Sequence, residues 1–239
     1  NGERLQRIMN TLKVPDDEPI TAGMVTRAIE SAQRKVEGHN FDMRKHLLEY
    51  DDVMNQQRTL IYSLRRRILE NNNVDEIVLE MLSENVSDLL DTYAPVDAKK
   101  AQWDLGGLAM ALNQQFAVNV EFPNANELTS DKLVELIKSP VRAAFEQQKE
   151  KLGPYFSQLQ KMILLQTMDT RWKEHLAQVD HLKEGINLRA YGQKDPLIEY
   201  KKEAFRTFEQ MQILTRNETL EKLMKVQIVE KPQSADELE

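Results

Sequence analysis

The stretch MVTRAIESAQRKVEGHNFDMRKHLLEYDDVMNQQRTLIYSLRRRIL, residues 24–69, decides how the chain reads. It holds no proline, and Gly38 is its one glycine. At helical spacing, Val25, Ile29, Ala32, Val36, Asn40, Met43, Leu47, Tyr50, Met54, Gln57, Ile61, Leu64 and Ile68 fall on one stripe. All but Asn40 and Gln57 are apolar or aromatic, so the spacing predicts a helix with a buried seam. Such a helix would run about 70 Å at about 1.5 Å per residue. Ordinary helices stop after about 11 or 12 residues, so this one reads as a coiled coil or as a spine for other elements. Two consecutive steps of four, Ala32 to Val36 to Asn40, break the strict heptad. That stutter argues for a seam shared by different partners, and hence for a spine.

Working outward, residues 3–13 form a short amphipathic pattern that Pro15 and Pro19 interrupt, because proline restrains itself and its predecessor. Thr21 can cap the spine, and Arg65, Arg66 and Arg67 suit the negative end of its dipole. Three asparagines, Asn71 to Asn73, then signal a turn. Residues 71–153 break into shorter pieces. One helix is expected through Ile77, Met81, Leu82, Val86, Leu89 and Leu90, ending before Pro95, and another from Asp104 to Phe116. Residues 116–122 alternate like a strand but lack a partner strand, so extended loop is the expectation. A third helix, capped by Thr129 or Ser130, runs through Leu133, Leu136, Ile137, Val141 and Phe145. After Gly153-Pro154 come two long helical patterns, 155–185 and 197–227, joined by the linker 185–196. Their short connection predicts an antiparallel hairpin. The last ten residues, EKPQSADELE, are polar and aperiodic. The fold class is therefore all-α: one very long helix, a small helical subdomain and a two-helix finger.

With 239 residues, 41% hydrophobic and 30% charged, the chain can hold one or two domains with much wetted helix surface. No apolar run approaches the 18 or so residues of a membrane span, and no signal-peptide pattern opens the chain. Zero cysteines exclude disulfides and thiolate metal sites. The net charge of −7 is uneven: residues 71–153 carry 7 basic against 14 acidic groups, whereas residues 21–70 carry 9 against 7. This shift marks a domain boundary, and no basic face suited to nucleic acid stands out.

The chemistry-bearing residues are sparse. Phosphate-loop, nucleophile-elbow and HExxH patterns are all missing from the sequence. His39, His46, His175 and His181 include no i,i+4 pair, which disfavours a helical metal site. Glu49-Tyr50-Asp51-Asp52 on the spine reads as a cation or partner anchor, or as a solvated face with Arg44 or Lys45 paired to Glu49. Trp172 reads as core. The linker concentrates Leu188, Arg189, Tyr191, Gly192, Gln193 and Lys194 at the end of the hairpin. A tyrosine flanked by cations suits a grip on peptide without sequence preference, or else a packed turn.

Two long strings carry a resemblance. AQRKVEGHNFDMRKHLLEYDDVMNQQR, residues 32–58, and LLQTMDTRWKEHLAQVDHLKEGINLRAYGQKDPLIEYKKEAF, residues 164–205, resemble blocks of the SecA family of ATP-driven preprotein export motors. The resemblance implies a division into the end of the second nucleotide-binding domain (1–20), the scaffold helix (21–70), the helical wing (71–153), the two-helix finger (154–229) and a flexible tail (230–239). It implies that the finger tip, with Tyr191 and its neighbours Leu188, Arg189, Gly192, Gln193 and Lys194, contacts the translocating preprotein at the SecYEG channel. It assigns residues 185–193 to the regulator of ATPase activity. The run Arg44, Glu49, Tyr50, Asp51 and Asp52 would then fasten the scaffold to neighbouring domains.

The partners so implied are the SecYEG channel, unfolded preprotein, the motor and preprotein cross-linking domains of the same parent chain, an anionic membrane surface and a second copy in a homodimer, with no nucleic acid. The setting would be the cytoplasm and the cytoplasmic face of the cell membrane. Walker motifs, arginine finger and the cysteine-bearing zinc tail do not occur in these residues. The fragment is thus expected to have no cofactor and no ATPase of its own, with ATP and Mg held by the parent protein. The rival reading is a stand-alone helical module that dimerises as a coiled coil.

Overall fold

A computed structural model of the chain describes residues 23–71, 73–97, 99–123, 128–189 and 195–227. Six α-helices account for most of them: α1 (Gly23–Glu70), α2 (Asp75–Tyr93), α3 (Leu105–Phe116), α4 (Ser130–Leu152), α5 (Phe156–Arg189) and α6 (Pro196–Lys225). Among the described residues there is no strand, and residues 117–123 are loop. The all-α expectation holds. The expected helix at 3–13, the Thr21 cap and the polar tail lie outside the described residues.

The chain divides into two compact units at Asp52/Val53. Of the first, Asn1–Asp52, the described part is one helical stretch belonging to α1. Here the expected seam is not buried. Ile29, Val36, Met43 and Leu47 are all more than half exposed, as are Phe41 and Leu48 off the stripe. A hydrophobic stripe is buried only where something packs on it, and among the described residues nothing covers these side chains.

The second unit, Val53–Glu239, has the core. The stripe of α1 continues into it, and now Gln57, Ile61 and Ile68 are buried, with Met54 and Leu64 packed on the core. α5 and α6 run antiparallel, as Arg171 meets Glu218 near one end and His175 meets Phe208 farther along. The buried side of α6 carries Tyr200, Ala204, Phe208, Met211, Thr215, Thr219, Leu220 and Leu223. α2, α3 and α4 pack on the same helix. Phe145 of α4 and Phe156 of α5 meet edge to face at 5.5 Å, a favourable aromatic geometry.

Local chemistry sets the helix ends. Asp195 caps α6 by accepting from the Leu197 amide at 2.8 Å, with Pro196 at the first position, where its missing N–H costs nothing. Asp104 caps α3 through the Gly107 amide at 2.8 Å, and Thr129 caps α4 through Lys132. Gly107 must be glycine, since a Cβ there would collide with the Asp104 carboxylate and the Tyr93 ring. Two further expectations fail. Leu136 is exposed rather than core. α5 also runs four residues past Gly185, so the linker is shorter than expected. A Cβ at Gly185 would meet nothing within 4 Å. The site needs no glycine geometry, and its helix cost of about 1 kcal/mol is outweighed by flanking turns that bury Val179 and Ile186.

Among the described residues two sit at positive φ: Ala117 (φ 56), which ends α3, and Gly153 (φ 54), which ends α4. A Cβ in the left-handed region costs about 1–2 kcal/mol. Ala117→Gly should therefore raise the thermal midpoint, and Gly153→Ala should lower it. Calorimetry on both variants checks the opposite signs.

Candidate functional site

The residues singled out by the sequence fall into two groups. Leu188 and Arg189 belong to the last turn of α5, where only the backbone is described. Tyr191, Gly192, Gln193 and Lys194 lie outside the described residues. The second group is on α1. Arg44, Asp51 and Asp52 are exposed, while Glu49 and Tyr50 are half-buried. Glu49 meets neither Arg44 nor Lys45; its carboxylate lies 3.5 Å from His46 Nδ1, one turn earlier. Tyr50, Asp51 and Asp52 each take part in further interactions of their own.

What the second unit builds instead is a buried polar clasp. Gln57 is one of the two polar positions on the α1 stripe, and it is 6% exposed. Its Nε2 donates to the Ala204 carbonyl of α6 at 3.1 Å. Its Oε1 lies 2.8 Å from Nε2 of His175 on α5. An amide oxygen only accepts, so His175 carries its proton on Nε2. The imidazole, 1% exposed, sits 5.5 Å from the Trp172 ring and 5.6 Å from that of Phe208. Burial alone pushes the His175 pKa below its ordinary value. One amide thus ties three helices at a single level.

Around the clasp, charged pairs link the same elements nearer the surface. Arg65 donates from Nε to Asp169 at 3.1 Å, joining α1 to α5. Arg171 reaches Glu218 at 2.7 Å, joining α5 to α6. Burial works to raise the Glu218 pKa, but hydrogen bonds from Lys222 and Arg171 prevail and hold it below the usual carboxylate range. On the far side of α6, Arg216 grips Glu84 at 2.6 Å and also Asp88, both of α2. Asn85 donates to the Asn217 side chain at 2.7 Å alongside. Gln148 of α4 holds the end of α6 through the carbonyls of Leu223 and Val226.

Trp172 is core, as expected, at 6% exposure. The clasp was not anticipated, although a glutamine on an otherwise apolar stripe was its visible trace. His181 is exposed, with Glu184 at 3.8 Å. Among the described residues, no group of three or more His, Asp or Glu could hold a metal ion, and no helix is long and apolar enough to cross a membrane.

Known proteins give these elements a context. The family model described as SecA Wing and Scaffold domain matches residues 19–227. A protein translocase subunit SecA from Bdellovibrio bacteriovorus is 51% identical over 239 residues, all of this chain and 27% of that protein. Its counterpart in Geotalea uraniireducens is 46% identical over 95% of the chain and 26% of the protein. The one in Thermodesulfovibrio yellowstonii is 43% identical over 97% of the chain and 26% of the protein. The chain spans about a quarter of the length of these relatives.

The clasp has a pH signature. Because the folded pKa of His175 is lowered, its contribution to stability is complete above the unfolded value of about 6.5 and is lost as pH falls below it. Urea midpoints at pH 7.5 and 5.5 should drop more for the wild type than for His175→Gln, which cannot titrate. Glu218 is lowered from 4.5, so its loss falls in a separate, more acid window.

Proposed function

Because the chain belongs to the SecA wing and scaffold family, we propose that it is the scaffold, wing and finger portion of an ATP-driven translocase that exports preproteins through the SecYEG channel. The observation that carries this reading is the family match over residues 19–227. In this reading residues 1–20 end the second nucleotide-binding domain. Residues 21–70 are the scaffold helix, 71–153 the wing and 154–229 the finger. ATP and Mg act in motor domains of the whole protein, which works in the cytoplasm and peripherally on the membrane's cytoplasmic face, against anionic lipid.

Coupling would pass along α1. The exposed apolar residues of its first half, Ile29, Val36, Met43 and Leu47, offer a surface for motor and cross-linking domains. The neighbouring run from Arg44 to Asp52 would fasten the same domains by charge. Its second half is seated on the hairpin that would carry Tyr191 to the preprotein. Replacing Tyr191 by Ala in the full-length protein should cut preprotein transport into vesicles by tenfold or more and leave nucleotide binding intact. Unchanged transport would remove the tip from the mechanism.

The exposed stripe also favours a second reading, a coiled-coil module that pairs with its own copy. Light scattering on this chain should show association that rises with concentration and weakens in Leu47→Asp. A monomer at all concentrations would exclude self-pairing.

A further inference from the structure

Gln57 is an uncommon choice for its place. Its neighbours along the buried part of the α1 stripe are apolar, and a leucine would fill similar space without polar atoms to satisfy. Both ends of the amide are used, and each end on a different helix. The Ala204 carbonyl that receives Nε2 also accepts from Thr207 Oγ1 at 3.1 Å, so α6 offers an acceptor at one defined level. His175 offers a donor at one defined level of α5. An apolar interface tolerates a slide of one turn, because one leucine serves as well as another. A buried amide that must meet one donor and one acceptor does not tolerate it. Buried polar groups of this kind are best attested as devices that fix register.

We infer that Gln57 and His175 are positioning residues that lock the scaffold helix in register with both finger helices, so that a displacement of α1 is delivered to the finger rather than lost as sliding. The inference rests on the translocase reading and names the residues through which its coupling passes. Neither residue is exposed enough to touch a preprotein, and both act through the helices they hold. Replacing either residue alone leaves a buried partner unpaired and lowers stability somewhat, so transmission is read on variants that still melt as folded proteins.

The test uses the full-length protein that carries this sequence, measured for preprotein moved into vesicles per ATP hydrolysed. His175→Phe keeps ring volume and removes the donor. Gln57→Leu removes the amide. His175→Gln removes the ring and keeps a donor that can still reach Gln57 Oε1. The first two should lose at least fivefold in preprotein moved per ATP, with hydrolysis in the absence of preprotein within twofold of the wild type. His175→Gln should stay within twofold in both. Wild-type coupling in His175→Phe and Gln57→Leu overturns the inference. So does a loss in His175→Gln equal to that in His175→Phe, which would assign the effect to packing. Failure of both donor-loss variants to melt as folded proteins overturns it too, because the clasp would then hold the fold and not its register. A wild-type protein that moves no preprotein would overturn the translocase reading itself, a result separate from any of these.

Discussion

The burial of one side of α6 is the constraint on which the second unit depends. That helix meets α2, α3, α4 and α5, and it receives α1 through the Gln57 hydrogen bond. Its inner surface is apolar through Tyr200, Phe208, Met211, Leu220 and Leu223, so water is excluded and an unpaired polar group there is costly. Gln148, Asn85, Gln115 and Gln57 supply such partners, several of them to α6 backbone carbonyls. Apolar area provides the drive for assembly, while the amides decide which level of each neighbour faces which level of α6. Arg216 and Arg171 then add charged pairs on two sides of the same helix.

α1 behaves differently along its length for the same physical reason. Its stripe is continuous in sequence, yet only residues from Met54 onward meet the core, and Ile29 to Leu47 remain in solvent. An apolar stripe states that a helix has a face to hide. It does not state what hides it. A helix with one segment anchored in a core and another offering an unpaired apolar surface has the anatomy of a link between bodies.

Most of the fold could be read from the residues because its helices are long and strongly periodic. The limits of α1 and α6 follow from spacing to within two residues. Gly185 was misleading, since a lone glycine reads as a stop but costs only about 1 kcal/mol inside a helix with good flanks. Leu136 was misleading in the opposite direction: it shares a helical pattern with Leu133 and Ile137 but points off the packed side. The clasp was hidden because it is made of three distant residues, and one of them contributes only a carbonyl. Spacing shows that Gln57 interrupts an apolar series; only tertiary placement shows that His175 and Ala204 receive it. The expectation for the finger tip, Tyr191 foremost, comes from likeness to the family, and Tyr191 to Lys194 lie outside the described residues.

The division of α1 into an anchored part and an unpaired part predicts a gradient of local stability along one continuous helix. Isolated helical turns without tertiary packing are marginal in water, while turns sealed into a core open only with it. Hydrogen exchange along α1 in this chain alone measures this directly. Amides around Gln57, Ile61 and Ile68 should exchange near the rate of global unfolding, and those from Ile29 to Leu47 at least a hundredfold faster. Uniform protection from one end of α1 to the other would contradict it.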